Sequence, residues 1–264
     1  MDIRQVVSLQ SFVASKQQRT LGALPEAVSH PAATLLHSYV EEGIPSGTLP
    51  PWSRAGLNKA IQNGPHASAC ARDMVSFIQG ELQPRFQYGF SILLSVEDDV
   101  QVFGEKLKLS PIASVSQAQR HPRLILNLLV RPDKENQIAN GTTDREIAPE
   151  SMQFGRAFPH ILQVIWEVDL EEGPVRVPKL DVMDAYHRGT IHSSQVGLFA
   201  YVVPSVSEDY VIIICIDLVL PMGWVESPKI FCAFLETFAD VANTLVDAYL
   251  PVPAYGAISA LPAT

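Results

Sequence analysis

Two carboxylates and an aromatic ring stand close together in Lys179-Leu-Asp-Val-Met-Asp-Ala-Tyr186. Asp181 sits at the end of a short strand-like stretch. A carboxylate at a strand tip can anchor a hard divalent cation such as Mg2+, which favours a few carboxylates together with phosphate oxygens and water. A two-metal displacement needs at least one further carboxylate. Asp184 can equally cap the turn after the strand, and Tyr186 can equally be a core ring. Further along, Leu220-Pro-Met-Gly-Trp-Val-Glu-Ser-Pro228 reads as a tight glycine bend at Gly223 running into a helix. Ser227 is the expected N-cap and Pro228 the expected first helical residue.

Other reactive groups carry less. His66 and Cys70 have i, i+4 spacing, but two further metal ligands are missing, so helix packing is the simpler reading. Asp98 and Asp99 read as a solvated turn. His192-Ser193-Ser194 lacks the GxSxG elbow of a hydrolase and reads as a loop. No GxxxxGK[ST] or GxGxxG occurs, which removes the usual phosphate-loop classes. Cys70, Cys215 and Cys232 are widely separated; no zinc or disulfide framework follows, and three buried thiols in a reducing compartment are expected.

The chain has 264 residues, 47% of them hydrophobic, and a net charge of −9. A sizeable core is possible, and the acidic balance argues against strong unaided binding to nucleic-acid backbones. Met1-Asp-Ile-Arg-Gln5 lacks a charged-then-apolar leader. The longest apolar run, Val211 to Leu220, is broken by Asp217 and is too short for a bilayer. A cytoplasmic or nuclear protein without membrane contact is expected.

The elements that must position these groups follow from periodicity. Pro65 is expected to start a helix carrying Ala69, Met74, Phe77, Ile78 and Leu82. Tyr88 to Val96 and Arg123 to Val130 read as strands. Residues 131–150 read as an exposed loop, and Phe154 to Val168 as a helix with Phe158, Ile161, Leu162, Ile165 and Trp166 on one side. Lys179 to Val182 reads as a short strand. Leu198 to Val203 and Tyr210 to Ile216 read as a hairpin around Pro204 to Asp209. Phe231, Phe234, Leu235, Phe238, Val241, Ala242 and Leu245 form a helical core stripe. The tail from Pro251 is expected to fray. Together these predict an α+β fold, an antiparallel sheet with helices on one face.

In order and spacing, the blocks at 179–186 and 220–228 resemble the nucleotide-binding core of retroelement reverse transcriptases. The resemblance spans roughly residues 64–250 and extends upstream to Leu109-Ser-Pro-Ile-Ala-Ser-Val-Ser-Gln117 and His121-Pro-Arg-Leu-Ile125, which are similar to the family's fingers hairpin. It implies RNA-directed DNA synthesis, with Asp181 as catalytic metal ligand for Mg2+ or Mn2+. It implies that the backbone at Asp184 and Ala185 meets the triphosphate, that Tyr186 lies under the sugar and obstructs a 2′-hydroxyl, and that Arg123 contacts the triphosphate. Met222 and Gly223 would line the same pocket, Gly223 by letting the backbone come close. Arg123 can also be read as a solvated strand-end cation.

The match has departures. Met222 stands where many members carry Gln, Ser116 and Gln117 where a Lys is usual, and Asn127 where an Asp is usual. The aromatic-x-Asp-Asp block expected after the Ser-Pro helix does not appear; past residue 240 the only acid is Asp247. The implied architecture is the fingers and an incomplete palm of a right-hand polymerase. Residues 1–64 would be an N-terminal extension, 65–175 fingers-like, 176–250 a partial palm and 251–264 a flexible tail. The intact family's partners are a primer–template and a dNTP; metal binding by this chain is expected to be weak or absent, and no polymerisation is expected of it. The alternative is a non-enzymatic, domesticated or decayed remnant that self-associates or binds a partner through an exposed palm edge.

Overall fold

A computed structural model describes residues 33–47, 50–118, 120–141, 162–163, 165–167, 171, 173, 182, 185–205 and 211–247; for 33, 120 and 240–247 it describes the backbone only. The expectations for Asp181, Asp184, Lys179 to Leu180, Phe154 to Ile161 and the tail from Pro251 lie outside these residues. The described chain is α+β, with small antiparallel sheets. Helix α1 is Ala33–Glu42, α2 Arg54–Asn63 and α3 Arg72–Gln87. Strand β1 is Ser91–Ser95 and helix α4 Val96–Phe103. Strands β2, Ile112–Gln117, and β3, Arg120–Leu126, form a ribbon. Strands β4, Ala200–Val202, and β5, Ile213–Asp217, precede helix α5, Ser227–Asp247.

The expected hairpin is present. Tyr201 lies opposite Cys215 and Val202 opposite Ile214. On its other side β5 pairs antiparallel with β1, Leu93 facing Cys215, so the sheet runs β1-β5-β4. As the central strand, β5 has both edges paired, and Ile214, Cys215 and Ile216 are fully buried. The apolar stretch Val211 to Leu220, broken by Asp217, supplies this central strand. The ribbon β2–β3 is tied to the sheet where Ser110 N–H donates to the Ala200 carbonyl (2.9 Å), and its own open end is closed by Asn127 N–H donating to the Pro111 carbonyl (2.9 Å).

Several expected elements shift. The helix does not start at Pro65. Residues Ala67–Ala69 form one 3₁₀ turn capped by His66, whose Nδ1 accepts from Ser68 N–H (3.2 Å), and α3 begins only at Arg72. The His66–Cys70 pair is therefore not packed on a helix. His66 is a cap, and the Cys70 thiol is exposed against the Pro65 and His66 carbonyls. Cys215 alone of the three thiols is buried. Strand β3 stops at Leu126 because Asn127 turns the chain, its Oδ1 accepting from Leu129 N–H. Within 131–141 the chain is not simply an exposed loop, since Asn136 and Ala139 are buried. Leu162, Ile165 and Trp166 are exposed, Trp166 at 89%, and Leu235 of the α5 stripe is 40% exposed. Val182 stands in no strand. Ser227 does not cap α5 by accepting a bond; its hydroxyl donates to the Pro221 carbonyl (2.8 Å) and braces the bend before the helix.

The largest correction concerns Asp98 and Asp99. They occupy the first turn of α4, where Ser95 caps the helix by accepting from Asp98 N–H (3.2 Å) and donating to Asp98 Oδ2 (2.7 Å). A helical step then carries Asp99 inward. It is fully buried, and neither carboxylate oxygen has a hydrogen-bond partner.

Residues 33–60 share the core of the sheet, with Leu36, Ile44, Trp52 and Leu57 packed into the same apolar cluster as Ile92, Ile216 and Phe234. Helix α2 is anchored from a distance. Ser53 caps it by accepting from Gly56 N–H (3.1 Å), and Asn136 holds Ser53 through bonds to its N–H (2.9 Å) and its hydroxyl (3.2 Å). Ser53→Ala is expected to cost about 1 kcal/mol, the usual value of an N-cap, measured as a lower urea midpoint at unchanged slope. Among the described residues no helix is long and apolar enough to cross a membrane.

Candidate functional site

The chain just after the first block meets the start of the second. Ala185–Arg188 forms a 3₁₀ turn, closed by Gly189 N–H donating to the Tyr186 carbonyl (3.2 Å). The chain beyond it runs against the exit of β5. Leu220 N–H donates to the Gly189 carbonyl (2.9 Å), Ile191 N–H donates to the Leu218 carbonyl (2.9 Å), and Thr190 bridges Val219. The Tyr186 ring stands edge-on to Phe231 of α5, centroids 5.7 Å apart. Tyr186 therefore lies between the turn and the helix that the glycine bend introduces.

The bend itself grips the β2–β3 ribbon. Gly223 has φ +115°, and Leu126 N–H of β3 donates to the Met222 carbonyl (2.9 Å). Asn140 holds the other side: its Nδ2 donates to the Gly223 carbonyl (2.9 Å) and its Oδ1 accepts from Val225 N–H (3.0 Å). Strand β3, the bend and the 185–188 turn are thereby held together by backbone contacts.

Between them opens a cavity of about 360 Å³ lined by Arg123, Met222 and His187, and on its far side by Arg85, Tyr201 and Asp217. That volume lies in the range of small-molecule pockets. Its walls are largely apolar, with Pro84, Phe90, Leu124 and Leu126 among them. Of the sequence-predicted site residues, Arg123 and Met222 line this cavity. Tyr186 adjoins it through His187, Ala185 opens the same turn, and Gly223 follows Met222. Arg123 is exposed and close enough to Tyr186 to act on it. Burial first, then Cys232, raise the Tyr186 hydroxyl, while Arg123 opposes them.

The floor of the cavity was not singled out by the sequence. Arg85 of α3 pairs with Asp217 at the end of β5 (3.3 Å), and Ser91 of β1 donates to the same Asp217 oxygen (2.9 Å). Arg85 Nη2 also reaches His187 Nε2 (3.3 Å). A guanidinium cannot accept, so His187 Nε2 is the acceptor and its hydrogen sits on Nδ1. Burial, then Arg85 and Arg188, push His187 down to about 3, which keeps the imidazole neutral. Burial works against the Arg85 charge, but Asp217, Tyr201, Cys215 and Glu81 together outweigh it and hold the guanidinium protonated. Burial raises Asp217, opposed by Arg85 and by the Ser91 hydroxyl. Burial likewise raises Tyr201 well above the usual phenol range, and lifts Cys215 to about 12. Asp217 was the one legible signal, a lone charge in an apolar run, and a buried carboxylate needs a partner.

Among the described residues no three His, Cys, Asp or Glu side chains stand close enough to hold a metal ion. Asp181, the expected ligand, lies outside them. The site is therefore described as a cavity with one paired cation on its floor and a second, exposed cation on its wall. No protein-family model matches the chain, and no curated protein matches it.

Proposed function

We propose that this chain is a nucleotide-binding fragment of reverse-transcriptase type, the fingers and part of the palm of a right-hand polymerase. One observation carries the reading: the 185–192 segment and the Leu220–Gly223 bend are hydrogen-bonded to each other, the bend is bonded to β3, and Arg123 and Met222 line one cavity with His187. The sequence resemblance asks for this juxtaposition of two palm blocks with a basic fingers strand. In this reading Arg123 meets the phosphates of a nucleotide and Tyr186 lies beside the sugar.

The test is equilibrium binding of radiolabelled dTTP, with primer extension in parallel. The chain is expected to bind dTTP and to extend no primer, since within these residues no aromatic-x-Asp-Asp block accompanies Asp181. Arg123→Ala is expected to weaken dTTP binding about tenfold, the worth of one charge-assisted bond to phosphate. Arg123 is exposed, so the fold should persist and the melting temperature should change little. Absence of any nucleotide binding by the folded wild-type protein would overturn the reading.

A further inference from the structure

We propose that Arg85 is a positioning residue of the nucleotide site: it holds the 185–188 turn through His187 and so sets where the Tyr186 ring stands beside the sugar. The inference rests on the nucleotide reading above and adds the device that fixes its sugar side.

Arg85 lies in the last turn of α3, distant in sequence from both groups that it meets. Its Nη2 stands 3.3 Å from Asp217 Oδ1 at the end of β5 and 3.3 Å from His187 Nε2 in the turn. An Nη group carries two hydrogens, one for each acceptor. One nitrogen thus ties three segments: α3, β5 and the 185–188 turn. Ser91 of β1 donates to the same Asp217 oxygen (2.9 Å). The carboxylate is held from two sides, and it holds the guanidinium in turn.

The turn uses this tie. Past it, Gly189 and Ile191 are held to Leu218 and Leu220 by backbone bonds. Within it, His187 is held by side chains: it accepts from Arg85, and its ring lies against Phe90, centroids 5.1 Å apart. Phe90 N–H donates to the Arg85 carbonyl (2.8 Å), so donor and ring reach His187 as one unit. Burial, Arg85 and Arg188 keep the imidazole neutral, which preserves Nε2 as an acceptor. Tyr186 precedes His187 in the same 3₁₀ turn. A shift of the turn that breaks the His187 bond therefore also moves the Tyr186 ring from its place edge-on to Phe231.

Deleting Arg85 outright would leave the Asp217 carboxylate buried and unpaired, so the test uses milder changes. His187→Met removes the acceptor and leaves the Arg85–Asp217 pair in place. His187→Gln restores an acceptor at similar reach. Arg85→Lys keeps a charge beside Asp217 but loses the planar fork. The readout is the ratio of affinities of the full chain for dTTP and ribothymidine triphosphate, which differ only in the 2′-hydroxyl. Partial unfolding lowers both affinities alike and leaves the ratio unchanged. The wild-type protein is expected to prefer dTTP. His187→Met and Arg85→Lys are each expected to lower that preference about tenfold, as for one hydrogen bond to a charged group, and His187→Gln to keep it. Three results would each overturn the positioning role while dTTP binding preserves the nucleotide reading: a ratio unchanged in a folded His187→Met or Arg85→Lys protein, a ratio that His187→Gln fails to restore, or a wild-type protein that binds the two nucleotides equally. Failure of dTTP itself to bind would overturn both.

Discussion

Replacing Asp99 by asparagine is expected to raise the melting temperature by on the order of 10 °C at pH 8.5 and to leave it nearly unchanged at pH 4. Asp99 is fully buried, with both carboxylate oxygens unpartnered. Burial, reinforced by the neighbouring Asp98, raises its carboxyl from 3.8 to about 8. An acid whose folded value is raised favours the protonated form in the native state. Its contribution to stability is complete below about pH 4 and is lost as the pH rises towards 8, because in that window the folded chain binds more protons than the unfolded one. A shift of this size corresponds to several kcal/mol, at about 1.4 kcal/mol per pH unit. Asparagine keeps the shape and cannot ionise, so it removes the alkaline penalty. Thermal melts of both proteins at the two pH values check this, and other titrating groups cancel in the difference. An equal difference at pH 4 and pH 8.5 would show that the Asp99 carboxyl does not titrate in that window.

Gly223→Ala is expected to destabilise the protein by about 3 kcal/mol or more and to abolish nucleotide binding. The backbone at φ +115° is one that side-chain-bearing residues rarely adopt, and such strain costs roughly 1–3 kcal/mol. The added Cβ would collide with the Leu126 carbonyl oxygen. To make room, β3 must retreat from the bend, and the bond from Leu126 N–H to the Met222 carbonyl opens with it, for about 1 kcal/mol more. Arg123 stands on the same strand, so the retreat moves the proposed phosphate contact away from the 185–188 turn. Urea denaturation measures the first effect and dTTP titration the second. If alanine is tolerated with full dTTP affinity, the close approach of bend and strand is not what shapes the site.

Much of the sheet was legible because its signals are local. The pair β4–β5 announced itself as two β-rich runs on either side of Pro204 to Asp209. The glycine bend was legible for the same reason: a Pro-x-Gly turn ahead of a long apolar stripe leaves the chain few options. What was not legible depends on contacts distant in sequence. Nothing near Arg85 or Ser91 indicates that they meet Asp217, and the odd charge in the β5 run was read as an interruption rather than as a buried partner. Asp99 was legible in principle. Val96, Asp99, Val100 and Phe103 follow i, i+3, i+4, i+7 spacing, so the helical face that buries Val96 and Val100 must also carry the carboxylate inward. Two adjacent acids suggested a solvated turn, and the period of the helix prevailed. The helix expected at Pro65 failed because His66 found a local partner in Ser68, whose hydroxyl also accepts from Ser114 N–H (3.0 Å). That tie to β2 stabilises a 3₁₀ turn where the pattern alone predicted a continuous helix.

Strand β3, the 185–188 turn and the Gly223 bend are proposed to enclose one nucleotide site. Photo-crosslinking with 4-thiothymidine triphosphate, followed by mass spectrometric mapping of the labelled peptides, tests that claim directly. Adducts are expected within Pro122–Leu126, Tyr186–Arg188 or at Met222, competed away by dTTP. Labelling confined to other segments, or not displaced by dTTP, would contradict it.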